Sequence, residues 1–174
     1  MSRVTLYAAV SLDGSLADAD GGVEWLEPFT GAGDWYEAFL ESVDCLVMGS
    51  RTYEQVLSFG PWPYGDRPTY VLTGRELPLA TEEVHLVGSV GAAADRLAGH
   101  AWLVGGAATA GAFLRAGLVD EIRLTVVPVV LGEGVALFGD AGRAGLELLG
   151  SRAAPDGSVE LRYRVGKRDG VPEL

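Results

Sequence analysis

Residues 101–117 read AWLVGGAATAGAFLRAG. AWLV is a short apolar strand, AATAGAFLRAG is a helix that Gly117 stops, and only Gly105 and Gly106 stand between the two. Glycines at such a junction let backbone approach a ligand closely, and the helix start that follows presents N–H groups. The stretch is one βα unit with a candidate binding site at its turn.

The same grammar extends upstream. RVTLYAAVSL (3–12) is a nearly continuous apolar run, as in a strand covered on both faces. A loop rich in Gly and Asp follows from Asp13 to about Gly33. DWYEAFLESV then sets Trp35, Phe39 and Val43 at helical spacing, opposite Asp34, Glu37 and Glu41. DCLVMG (44–49) is a second buried strand, and SRTYEQVLSF a short helix with Ser50 as its cap. PTYVLT (68–73) and VHLV (84–87) are further strands. SVGAAADRLAG is a helix capped by Ser89 and stopped by Gly99.

Downstream the pattern changes. DEIRLTVVPVV alternates Ile122, Leu124 and Val126 against Arg123, Thr125 and Val127, with Pro128 marking an edge or bulge. LELLGSRAAPDGSVELRYRV is two strands around a Pro-Asp-Gly turn. Val159, Leu161, Tyr163 and Val165 share one side of it, and Glu160, Arg162 and Arg164 the other. Alternating βα units with an antiparallel tail predict one α/β domain over 1–174, with three layers. Its central sheet is mixed, mostly parallel, with antiparallel C-terminal strands.

The 174 residues carry a formal net charge of −11, which excludes binding to nucleic acid through a general basic face. Any anionic ligand then needs local arginines and backbone N–H groups. No stretch approaches the ~20 apolar residues of a membrane span. The N-terminus enters a strand with no signal sequence, and a cytoplasmic address is expected. The single cysteine, Cys45, reads as a packed thiol. His85 and His100 have no carboxylate or cysteine at ligand spacing, so no metal is expected. The chain has neither a G-x-S-x-G elbow nor an H-x-E…P-C-x-x-C deaminase signature.

Ligands of open parallel sheets bind outside the C-terminal strand ends. Those ends read SLDG, MGSRT, LTGR and VGGAAT, and most set glycine beside Ser, Thr or Arg, a combination suited to phosphate. Two phosphate-competent junctions suit a dinucleotide, held without a G-x-G-x-x-G or Walker A fingerprint. Hydride transfer from a bound cofactor is the economical chemistry for such a chain.

The ordered motifs AAVSLDG (8–14), GSRTYE (49–54), YVLT (70–73), LVGGAAT (103–109) and VDEIRLTVVPVVLGEG (119–134) resemble the dihydrofolate reductase superfamily. The nearer match is the branch of the C-terminal reductase domain of riboflavin-biosynthesis deaminase-reductases, to which SLDG with DEI…PVVLGEG is specific. The likeness runs from about residue 3 to 165. It implies a dihydrofolate reductase-like fold, NADPH as cofactor, and a small heterocyclic substrate such as 5-amino-6-(5-phosphoribosylamino)uracil. Pterin reduction and a non-catalytic NADPH sensor are the alternatives.

Residue by residue, the resemblance implies Ala9 at the nicotinamide, with Asp13 and Gly14 in the loop that covers it. Gly49, Ser50, Arg51 and Thr52 would take the pyrophosphate and 2′-phosphate. Thr73, Gly74 and Arg75 would lie along the adenosine, and Val104, Gly105, Gly106, Ala107, Ala108 and Thr109 would make the second phosphate contact. The residues themselves agree on NADPH over NADH. No acid ends the second strand to hold a free ribose hydroxyl, and Arg51 and Arg75 stand near enough to meet a phosphate. Ser50 departs from the family, which commonly has arginine or lysine there. Asp13 and Asp34 are the candidate catalytic acids. Trp25, Trp35, Trp62 and Tyr64 are candidates to flank a planar substrate, and Arg67 and Arg115 to meet a ribose phosphate. A homodimer is expected, with VVPVVL (126–131) as a possible interface.

Overall fold

The computed structural model describes residues 1–30 and 33–166. In chain order it has β1 (Arg3–Val10), β2 (Ser15–Ala17), a 3-10 turn (Glu24–Leu26), α1 (Gly33–Glu41), β3 (Cys45–Gly49), α2 (Ser50–Ser58), β4 (Thr69–Leu72) and β5 (Val84–Val87). It continues with α3 (Val90–Ala94), β6 (His100–Gly105), α4 (Ala107–Arg115), β7 (Glu121–Val126), β8 (Val135–Ala136), β9 (Leu146–Ala153) and β10 (Val159–Val165).

Side-chain alternation along the buried strands divides the interior into two cores. Val4, Leu6 and Val10 of β1, Cys45 and Val47 of β3, and Ala101 and Leu103 of β6 pack with Ala93 of α3 and with Ala110, Phe113 and Leu114 of α4. The intervening residues Tyr7, Leu46, Met48 and Trp102 pack on the other face, with Phe39 of α1 and Tyr53 of α2. An apolar run that serves both faces at period two places helices on both sides of the sheet, giving the three layers.

The main sheet has eight strands in the order β5-β4-β3-β6-β1-β7-β10-β9. The strands from β5 to β7 are mutually parallel, and β10 runs antiparallel to β7 and β9. This is the expected mixed, dihydrofolate reductase-like sheet with an antiparallel C-terminal hairpin. Gly157, at φ +87°, completes the hairpin turn. No helix among the described residues is long and apolar enough to cross a membrane.

Several local expectations are corrected. The first strand stops at Val10, because Ser11 to Gly14 close a turn in which the Gly14 N–H donates to the Ser11 carbonyl at 2.9 Å. The loop after Asp13 is not wholly irregular: β2 pairs with β8, a contact with no local signature. Ser89 does cap α3, accepting the Ala92 N–H at 3.1 Å, yet the helix ends at Ala94, well before Gly99. Ser50 is not the cap of α2; that position is Gly49. Pro128 lies past the end of β7, which is interior to the sheet and not an edge.

Candidate functional site

The carboxyl ends of β1, β3 and β6 open into a cavity of about 930 Å³. Ala9, Gly49, Ser50, Arg51, Thr52, Val104, Gly105, Gly106, Ala107, Ala108 and Thr109 all line it. Two helices begin there, α2 after Gly49 and α4 after Gly106, and no side chain caps either one. Their first-turn N–H groups, with the positive ends of both helix dipoles, therefore face the same space.

The glycines at these junctions have separate steric reasons. A Cβ on Gly49 would lie 2.6 Å from the Thr109 hydroxyl oxygen, so α4 excludes a side chain at the start of α2. Gly105 has φ +129°, where an L side chain is strained. Gly106 donates its N–H to the Thr52 hydroxyl oxygen at 2.8 Å. The two helix starts thus brace each other through Thr52 and Thr109.

Arg51 lies exposed on the first turn of α2 at the cavity wall. Among the described residues it has no ion-pair partner. Arg75 is paired with Glu54 of the same helix at 2.9 Å. Thr73, Gly74 and Arg75 lie just past Leu72, which lines the cavity while they do not.

Asp13 and Asp34 are placed differently from the cavity residues. Asp13 accepts hydrogen bonds from the Ser11 hydroxyl at 2.6 Å, the Leu131 N–H at 3.1 Å and the Gly132 N–H at 2.9 Å. These bonds, the one from Ser11 foremost, lower its carboxyl to about 2. Its neighbour Gly14 has φ +83° and accepts the Leu137 N–H at 3.0 Å, so this loop is tied to the β8 region. Asp34 stands exposed in the first turn of α1, and neither acid lines the cavity.

Of the four expected aromatic residues, none is in the lining. Trp25 lies in the 3-10 turn, with its indole N–H on the Gly22 carbonyl at 3.2 Å, between Val23 and Leu26, which do line the cavity. Trp35 is covered by the Arg152 guanidinium, 4.0 Å from the ring centroid. Trp62 and Tyr64 meet edge-on at 5.0 Å inside the second core, and burial raises the Tyr64 phenol.

The aromatic wall of the cavity is instead built by Tyr7 and Trp102. The Trp102 indole N–H donates to the Tyr7 carbonyl at 3.0 Å, and the Tyr7 ring meets Phe39 edge-on at 4.5 Å. Burial raises the Tyr7 phenol, opposed by a hydrogen bond with the Thr125 side chain. Both residues fall on the α1 side of their strands by the alternation that places Leu46 and Met48 there, which is the signal that could have found them. Gln55 is a further lining residue, its amide N–H on the Gly21 carbonyl at 3.0 Å.

A second cavity, about 1110 Å³, lies at the opposite end, where β1 and β7 begin. It is larger, but its lining is the Arg3–Glu121–Arg162 ion-pair cluster with Arg143 and Arg164, and it has no helix start. Among the described residues, the helix starts that suit phosphate line the first cavity and not the second.

The RibD C-terminal domain family matches residues 62–159. The uncharacterized protein YwjB of Bacillus subtilis is 36% identical over 170 residues, which are 92% of this chain and 97% of that protein. A protein of Shewanella sp. PV-4, described as a candidate riboflavin biosynthesis protein, superimposes with TM-score 0.82 at 31% identity, covering 95% of this chain and 99% of that one. A pyrimidine reductase-like protein of Corynebacterium diphtheriae shares the fold, with TM-score 0.69 at 17% identity over 95% and 92% of the two chains. With sheet order, helix starts and sequence in agreement, the chain belongs to the RibD C-terminal domain family.

Proposed function

We propose that this chain is a cytoplasmic, NADPH-dependent reductase of a small nitrogen heterocycle. The observation that carries the proposal is the pair of uncapped helix starts facing one cavity, with unpaired Arg51 on the first. One helix start suits one phosphate; two, braced at a fixed spacing, suit a dinucleotide. Gly105 to Thr109 would hold the pyrophosphate. Gly49, Ser50, Arg51 and Thr52 would hold the 2′-phosphate, where Arg51 supplies the charge that favours NADPH over NADH. Ala9, small and at the end of β1, leaves room for the nicotinamide.

When bound, the reduced dinucleotide supplies a hydride, and the residues of this chain position, shield and select. The β2–β8 pair contributes Leu16, Ala17 and Val135 to the cavity wall. The family and the likeness to reductase-like proteins support reduction of a pyrimidine-type ring. A homodimer belongs to the same proposal. Of the expected interface, Val126 and Val127 pack inward and Val130 is exposed, as are Leu146, Leu148 and Leu149 on the edge strand β9. Sedimentation of the wild type against Leu148→Arg tests that edge.

The cofactor test is a titration with NADPH and, separately, NADH, followed by tryptophan fluorescence, since Trp102 lines the cavity. Tight NADPH binding with much weaker NADH binding is expected. Binding of neither would overturn the proposal, and binding without oxidation across a panel of pyrimidines and pterins would favour a sensor.

A further inference from the structure

We infer that the substrate part of the cavity selects an uncharged planar ring that carries no phosphate. The inference rests on the reductase proposal and concerns what lies beside the dinucleotide. Among the described residues Arg51 is the one charged side chain in the cavity lining, and it sits on the α2 start, at the proposed dinucleotide's end. Away from the two helix starts the wall is Tyr7, Trp102, Leu16, Val23, Leu26 and Val135, with the uncharged Gln55 amide as its polar group.

Among the described residues, the arginines near the aromatic wall and those expected to meet a ribose phosphate are committed elsewhere. Arg67 donates to the carbonyls of Val43, Tyr64 and Leu40 at 3.0, 3.2 and 3.2 Å. Arg115 pairs with Asp140 at 2.7 Å. Arg123 and Arg152 share the buried Glu160 carboxylate at 2.9 and 3.0 Å, and their guanidinium faces lie on the Tyr7 and Trp35 rings. With the helix starts and Arg51 taken by the dinucleotide, a phosphate beside Tyr7 and Trp102 would meet Arg123 already neutralised by Glu160. Among the described residues it would find no free cation there in exchange for its water.

What the wall does offer suits a neutral ring. Tyr7, Phe39 and Trp102 form a rigid aromatic cluster, with ring centroids 4.5 to 6.2 Å apart, fixed by the indole bond to the Tyr7 carbonyl. Such a cluster takes a flat ring by offset or edge contact. Gln55, its amide N–H held by Gly21, leaves an uncharged carbonyl oxygen for a ring N–H.

The test uses the full chain saturated with NADP⁺, so that the dinucleotide site is filled. NADP⁺ binding is measured first by calorimetry; its absence would sink the reductase proposal and this inference with it. Calorimetric titrations then compare 5-amino-6-ribosylaminouracil with its 5′-phosphate, a pair that differs only in the phosphate, and with lumazine as a bare ring. The unphosphorylated member is expected to bind at least tenfold more tightly, and lumazine to bind as well. Equal or tighter binding of the phosphate ester, or failure of both unphosphorylated rings to bind while NADP⁺ does, overturns the inference. Leu26→Arg places a cation in the wall. If this variant still binds NADP⁺, the preference is expected to narrow or invert, and an unchanged preference counts against the inference.

Discussion

The Thr52 hydroxyl oxygen, in the first turn of α2, accepts the backbone N–H of Gly106, the residue that opens α4, at 2.8 Å. One side chain therefore sets the spacing of the two helix starts that face the cavity. Thr52→Val keeps the shape but removes the acceptor, leaving a part-buried N–H without its partner. Such a loss costs ~1–3 kcal/mol. The urea midpoint is expected to fall by that loss divided by m, with m unchanged, and NADPH affinity to fall with it. An unchanged midpoint would mean that water replaces the hydroxyl and that the brace does not depend on Thr52.

Gly49 and Thr109 form the other half of the brace, and they are expected to be coupled energetically. An alanine methyl at position 49 would stand 2.6 Å from the Thr109 hydroxyl oxygen. Overpacking of this kind costs roughly 1–3 kcal/mol. Thr109→Ala removes the obstructing oxygen, so the double variant should recover most of what Gly49→Ala loses. A double-mutant cycle in urea reads the coupling directly, and additive single effects would show that the contact relaxes without help from Thr109.

Arg51 is the residue on which the choice between the two dinucleotides is expected to turn. Charge-assisted hydrogen bonds to a phosphate are worth ~1.5–3 kcal/mol, so Arg51→Gln should weaken NADPH binding about 10- to 100-fold. NADH, with a hydroxyl in place of the phosphate, should be nearly unaffected. Because Arg51 is exposed, added salt should reduce the wild-type preference as well. Equal loss for both dinucleotides would assign Arg51 to the pyrophosphate instead.

The helix-start residues were legible in the sequence because their signal is local. Glycine between an apolar strand and a helix marks a tight turn where backbone can approach a ligand, and its recurrence at several strand ends pointed to one site. Gly49, Gly105 and Gly106 all border the cavity. What escaped is decided across the sheet. Ser50 is a better cap than Gly49 by propensity, but Thr109, sixty residues away in the chain, leaves no room for a side chain at position 49. Tyr7 and Trp102 lie in strands buried on both faces, where alternation puts them on the α1 side but a continuous apolar run does not single out the residues that line a cavity. The roles of Arg67, Arg123 and Arg152 depend on carbonyls and on Glu160, which only the fold brings near them. Asp13 looked like a loop acid open to catalysis because its donors at Leu131 and Gly132 lie far downstream.

Those same donors give Asp13 a pH signature. Its carboxyl lies at about 2 in the folded chain against an ordinary 3.8, held down first by the Ser11 hydroxyl and then by the Leu131 and Gly132 N–H groups. A depressed folded value means that the native state binds its proton later than the unfolded chain does. The stabilising contribution of Asp13 is therefore fully present above about pH 3.8 and is lost as the pH falls from there through about 2. Asp13→Asn keeps an acceptor oxygen but abolishes the titration. Other carboxylates titrate in the same window in both proteins and cancel in the comparison. Urea midpoints of wild type and Asp13→Asn, measured from pH 6 down to 2, should show the wild-type advantage shrinking across that window and constant above it. An advantage that does not change with pH would mean that the loop is held by geometry alone, such as the Leu12 N–H bond to the Val129 carbonyl at 2.7 Å, and not by the charge on Asp13.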